Sequence, residues 1–242
     1  MKTVQLIVIL LSLIIFSTSC DKDKRIKRAK GEVTKVEKNV TEFTALDVHD
    51  AFDVDVTYST EEELVVVEAE DNIQEIIIVE VQNDILVIKL KNGVNLRGNP
   101  TLKIHITTAE LNDFEASDAC DIKLNNTLTA NDIRVKLSDA CNFVGTIEAT
   151  MGELDLSDAS NANITGTIES LNVLANDASS IEDYDLQCNT LDANLSDASN
   201  LKITVNDELR VTASDASSVK YKGTGVVMFQ DLSDASTLIK KD

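Results

Sequence analysis

From about residue 109 onward, apolar and polar residues alternate one for one, as in IRVKLSDA (133–140) and LRVTASDA (209–216). A period of two marks an extended strand with one covered face; helical spacing is absent. Each strand runs into the same corner. Asp-Ala-Ser or Asp-Ala-Cys occurs seven times, at Asp118, Asp139, Asp158, Asp177, Asp197, Asp215 and Asp234, with spacings of 21, 19, 19, 20, 18 and 19 residues. Two residues before each aspartate stands Ala or Leu, and four after it an apolar residue from Ile122 to Leu238.

A near-constant period with strands and corners predicts a solenoid in which each repeat is one turn of the chain. Three short strands per turn make an all-β, right-handed parallel β-helix of about 19 residues per coil, the hand following from the rule for parallel crossovers. Neighbouring coils stack at about 4.8 Å, so equivalent residues form ladders. The alanine after each aspartate is expected to point inward at a tight corner. The aspartate is expected to serve as a turn residue at positive φ, a conformation Asn and Asp tolerate best after Gly. The flanking serines are expected to bond backbone groups that the corner leaves unpaired.

The stretch before the repeats differs. Residues 40–108 lack Asp-Ala-Ser/Cys corners and carry longer apolar runs such as EELVVVEAE and QEIIIVEVQ. They predict N-terminal coils covered on both faces, or a capping sheet, within one domain spanning 40–242. KNGVNLRGNP (91–100), with the only proline, is the clearest break. At the far end, the charged tail TLIKKD is expected to blunt an otherwise raw strand edge.

The first nineteen residues have a lysine followed by LIVILLSLIIF, too short for a comfortable membrane span, and predict a secretory signal peptide. Ser17, Thr18 and Ser19 before Cys20 resemble a bacterial lipobox, in which Cys20 becomes the lipidated first residue; Ser17 stands where that motif has Leu. Residues 20–39 are polar and predict a disordered tether. Its Lys22, Lys24, Arg25, Lys27, Arg28 and Lys30 suit anionic head groups. These features predict a lipid-anchored protein in the cell envelope of a Gram-negative bacterium, at the outer membrane.

Charge narrows the partners. The chain has 42 acidic and 22 basic residues, and residues 31–242 keep 40 and 15 of them, about −25. Such a surface disfavours nucleic acid and suits cations, basic partners or simple solubility. Seven carboxylates in a file could take Ca²⁺ weakly at several sites. Their mutual repulsion, roughly 0.8 kcal/mol per pair at about 5 Å in water, does not require it. A carbohydrate-cleaving enzyme is the alternative from another class, since paired carboxylates near 5 Å suit retaining hydrolysis. Seven equivalent acids lack the asymmetry such catalysis needs, however, and with no Trp a sugar-stacking platform is missing. His49 and His105 predict exposed strand residues outside any HExxH or nucleophile motif. Cys120 and Cys141 occupy the same corner site in adjacent coils and form a candidate disulfide. Cys188 predicts a buried small hydrophobe.

The AFDVDV strand, the EDNI turn before a long strand, the NDILVIKL hairpin and the repeated corner together resemble the bacterial head GIN domain family of auto-transporter adhesins, across residues 40–242. That family often writes the corner Ser-Gly-Ala-Ser, with Gly where this chain has Asp. The resemblance implies an exported, non-enzymatic β-helical domain with an adhesin-like or scaffold role. The residues themselves predict no cofactor beyond the weak Ca²⁺ option, and an unidentified envelope protein or glycan as partner.

Overall fold

The computed structural model describes residues 25–242; the signal segment and Cys20 lie outside them. The first strands are β1 (Arg25–Arg28), β2 (Val33–Lys38), β3 (Ala45–Val48), β4 (Asp53–Tyr58) and β5 (Leu64–Glu70). A single helical turn, α1 (Asp71–Gln74), precedes β6 (Ile77–Gln82), β7 (Ile85–Leu90), β8 (Val94–Arg97) and β9 (Lys103–Thr108). Then come β10 (Asp113–Ala116), β11 (Asp121–Leu124), β12 (Leu128–Leu137), β13 (Asn142–Leu156), β14 (Asn161–Ala175), β15 (Ser180–Leu195), β16 (Asn200–Ala213), β17 (Ser218–Lys222), β18 (Val226–Leu232) and β19 (Thr237–Lys240).

From β10 to β19 every pairing within the stack is parallel, as the repeat predicts, and the coils keep register at the corners while bulges shift it between them in β14–β16 and β18. The protein is a parallel β-solenoid of about seven turns spaced about 19 residues apart. Its ladders are readable in side chains. Val48, Ala116, Leu137, Leu156, Ala175, Leu195, Ala213 and Leu232 succeed one another along one inner line. Large and small residues mix on it, which lets adjacent layers interdigitate. The core is a single apolar cluster, and its fully buried phenylalanines, Phe43, Phe52, Phe114 and Phe143, all lie toward the N-terminal end. Phe114 and Phe143 meet edge to face at 5.2 Å and 72°. Two bends demand glycine: at Gly166 φ is +107° and an added Cβ would stand 2.1 Å from the Ile147 carbonyl oxygen, and at Gly223 φ is +92° with the Val205 carbonyl oxygen at 2.3 Å.

The N-terminal part supplies both more coils and a cap. Strands β3 and β4 sit parallel beneath β10 and β11, and β7 and β9 sit parallel beneath β3 and β4. Beyond that level the pairing turns antiparallel: β5 closes the edge of β9, β2 that of β5, and β6 that of β7. The near-continuous apolar runs fall on β5 and β6 of this cap, where Val65, Val67, Ala69 and Ile77 face the core and the opposite face is only half-covered. They form the capping sheet and not a coil covered on both faces.

The tether expected over 20–39 is corrected where it is described. Val33–Lys38 is a strand hydrogen-bonded to β5, and Arg25–Arg28 pairs with β8 in the 91–100 excursion. A polar sequence suffices because an edge strand draws its stability from the neighbouring backbone. Lys27 and Lys35 add ion pairs to Glu75 and Glu68 at 2.7 and 3.3 Å.

Candidate binding surface

The corner is a stacked turn. In each repeat both the aspartate and the alanine have positive φ, 47–60° and 61–63°. At the five corners from Asp158 to Asp234 the N–H of the serine after the alanine returns to the carbonyl three positions before it, as Ser160 to Ser157 at 3.2 Å and Ser217 to Ser214 at 3.1 Å, while at the two cysteine corners that N–H bonds a side chain of the next coil. Two successive positive φ values closed by such a bond define a type I′ turn. The turns are then joined along the axis, each alanine N–H donating to the aspartate carbonyl of the next coil at 2.8 Å, from Ala119–Asp139 to Ala216–Asp234.

Two sequence expectations change here. The alanines Ala119, Ala140, Ala159, Ala178, Ala198, Ala216 and Ala235 are exposed, not inward. The inward residue is the one after, and at the five corners from Cys120 to Ser199 and at Ser217 it is buried. Alanine stands at the second turn position because a left-handed residue with a larger or branched side chain would crowd its own backbone. Second, the ladder has an eighth member. Asp50 and Ala51 have φ of 68° and 59°, and the Ala51 N–H donates to the Asp118 carbonyl at 2.9 Å. The signal was the bare Asp-Ala in VHDAF, hidden because Phe52 replaces the small inward residue and Asp118 follows only 68 positions later. Asp50 also closes the ladder: its carboxylate accepts the Leu90 N–H at 2.8 Å, where the level below has no corner.

The seven predicted aspartates, Asp118, Asp139, Asp158, Asp177, Asp197, Asp215 and Asp234, therefore stand in one exposed line, one per coil. Among the described residues no three His, Cys, Asp or Glu side chains gather as a metal cluster. Beside this line runs a second, polar one. Asn142 donates to Asp121 at 2.7 Å, Asn161 to Asn142 at 3.3 Å, Ser180 to Asn161 at 2.7 Å and Thr237 to Ser218 at 3.1 Å. At its foot Asp53 faces Asp121 across the ladder, and burial followed by that neighbouring charge pushes the Asp53 carboxyl above its ordinary value.

Cys120 and Cys141 stack on adjacent coils, buried, as two thiols. The Cys120 N–H donates to the Cys141 sulfur at 3.2 Å, just as the Cys141 N–H donates to Ser160 Oγ at 3.2 Å. The contact with Cys141 and then burial push the Cys120 thiol well up. Cys188 is fully buried in β15, and burial pushes it up to about 12.

The histidines lie elsewhere. His105 on β9 has Nε2 2.8 Å from Glu68 and Nδ1 3.5 Å from Asp55, which also meets Lys103 at 2.9 Å. His49 stands at the first corner, bonded to Ser117 and with Nε2 2.8 Å from Asp47. Asp47, His49 and Ser117 share the residue types of a hydrolase relay. Yet Ser117 holds the corner position that Ser138, Ser157, Ser196, Ser214 and Ser233 fill without any histidine, and it bonds Asp118 as well. A turn role accounts for it. The concavities are shallow; one of about 500 Å³ at the cap is rimmed by Glu42, Glu61, Glu62, Glu63, Asp84 and Glu110.

A parallel stack with one exposed aspartate per coil belongs to the class of β-solenoid proteins. The family described as "Putative auto-transporter adhesin, head GIN domain" matches residues 42–225, and the chain belongs to it. No curated protein matches the sequence. Among solved structures, a putative adhesin from Bacteroides fragilis has 20% identity and a TM-score of 0.78, over 88% of this chain and 99% of that one. A putative lipid binding protein from Parabacteroides distasonis has 15% identity and a TM-score of 0.75, and a putative adhesin from Parabacteroides merdae 14% and 0.72. Each alignment covers 90% of this chain and all of the other. At these identities the likeness establishes the fold. Among the described residues no helix is long and apolar enough to cross a membrane.

Proposed function

We propose that the chain is an exported adhesin of the bacterial envelope, anchored by a lipid on Cys20 and acting through contact at its acidic edge without catalysis. The observation that carries this reading is the run of eight hydrogen-bonded corners, which holds carboxylates at a fixed repeat on a rigid body. Such an array meets an extended basic partner, or a glycan bearing amines, at several points at once, and multipoint contact gains avidity without any single strong site. The lipobox-like segment ending at Cys20 supports anchoring, and the family's adhesin description supports the role.

The test has two arms. Expressed in a Gram-negative host, the full chain is expected in the membrane fraction and its Cys20→Ser variant in the soluble one. Binding of the purified chain to envelope extract is expected to fall severalfold when Asp158, Asp177 and Asp197 are changed together to Asn. Unchanged binding with all three replaced rejects the acidic edge as the contact; cleavage of any member of a glycan panel rejects the non-catalytic reading.

A further inference from the structure

The two ends of the solenoid are finished differently. At the N-terminal end the antiparallel strands β2, β5 and β6 cover the coil edges. At the C-terminal end β18 pairs only with β16 and β19 only with β17, so among the described residues the outer edges of both have no partner. This is also the rung beyond the family match, which stops at residue 225. Every residue of β18 is exposed, including Val226 (60%), Met228 (56%), Phe229 (43%) and Leu232 (37%). The charged tail expected to blunt this end flanks it on β19 alone; β18 itself carries no lysine.

From this we infer that the C-terminal rung is a self-association surface, pairing tail to tail with the same rung of a second copy. Charge selects the occupant. Residues 31–225 hold 37 acidic and 13 basic residues, about −24, whereas residues 226–242 hold Asp231, Asp234 and Asp242 against Lys240 and Lys241. Two copies repel across the acidic sides of the coil but not across this near-neutral end. Geometry selects the arrangement. At the capped end the outer edges of β2 and β6 are also unpaired, but β2 carries Lys35, Glu37 and Lys38 and β6 carries Glu80, charges that oppose strand addition. A two-fold axis across the C-terminal edge instead lets β18 meet its counterpart antiparallel on either side of the bulge at Met228. The exposed apolar side chains of the rung, Ile239 included, present roughly 400–450 Å² per copy. With the paired backbone edges, the interface reaches the order of 1,200 Å² in total, the lower end of specific association.

Arg28 and the strands that follow it enter at the capped end, about 40 Å from the rung at the coil spacing. With an anchor at Cys20, tail-to-tail pairs therefore join opposed surfaces rather than neighbours on one surface. That consequence rests on the anchored reading proposed above; the pairing itself does not.

Sedimentation velocity of the full Cys20→Ser chain across 1–200 µM is expected to show a monomer–dimer equilibrium. Met228→Lys, at a side chain already facing solvent, is expected to leave circular dichroism unchanged and to weaken the dimer at least tenfold. Slowed amide exchange in β18 at high concentration is expected for the parent chain alone. A monomer throughout, a dimer indifferent to Met228→Lys, a dimer lost instead on Val36→Lys at the capped end, or open-ended oligomers would each overturn the inference. Fractionation of the Cys20 parent and its variant reports on the anchor separately.

Discussion

Beside each of the seven repeated turns stands a cysteine or serine, and its chemistry depends on what the next coil offers. Cys141 receives the Cys120 N–H and Ser160 receives the Cys141 N–H with the same geometry. Serine at position 141 thus meets a donor already in place. Cys188 lies buried in register between Ile168 and Val205, and a hydroxyl there loses its water without replacement. Cys141→Ser is expected to change stability by under about 1 kcal/mol, and Cys188→Ser to cost about 1–3 kcal/mol, measured by urea unfolding. A larger loss at Cys141 than at Cys188 would contradict this account. At this scale the sequence was legible as to which residues recur but not as to which way they face. Ala and Ser are both small, and the left-handed pair of backbone conformations at Asp and Ala places the alanine outside. The Asp50 corner stayed hidden for a related reason, since a phenylalanine fills its inward position where the core is wide enough to take it.

Between elements, the cap is tied to the coils by a chain of charges on one outer face: Lys35 on β2, Glu68 on β5, His105 and Lys103 on β9, and Asp55 on β4. The bond from His105, and secondarily Lys35, holds the Glu68 carboxyl below its ordinary value near 4.5. An acid depressed in the folded state stabilises it above the unfolded value, and that contribution disappears as pH falls through the folded one. His105→Gln is therefore expected to cost a few tenths of a kcal/mol at pH 6, the size left to a solvent-screened pair. The gap between the two chains should close below about pH 4 as Glu68 protonates in both. A gap unchanged at pH 3 in denaturant titrations would mean that His105 acts by packing instead. None of this network was visible from spacing, because its members come from four strands, one of them in a stretch whose polarity reads as tether. Alternation finds a strand with one buried face; it misses β2, which is held by backbone pairing to β5.

For the whole molecule, the regular period carries the architecture and the charge carries its cost. Stacked coils contact only their neighbours, so the repeat alone places equivalent residues in line, and the parallel stack from β10 to β19 follows from it. The capped end does not follow, since antiparallel closure by β2, β5 and β6 is a long-range choice outside the period. The same stacking aligns like charges along the edge, where one carboxylate per coil gives a divalent cation neighbours on either side but no group of three. Screening, rather than chelation, should then govern the response to salt. The melting temperature is expected to rise by a few degrees between about 20 and 500 mM NaCl, where the Debye length falls below the coil spacing. At equal ionic strength and millimolar concentration, CaCl₂ and MgCl₂ should raise it equally, because both act on the field of the edge and neither on a shaped site. Calcium stabilisation in excess of magnesium, abolished when Asp158 and Asp177 become Asn, would establish instead that neighbouring corners chelate, and would move the edge from a diffuse anionic surface to a set of ion sites.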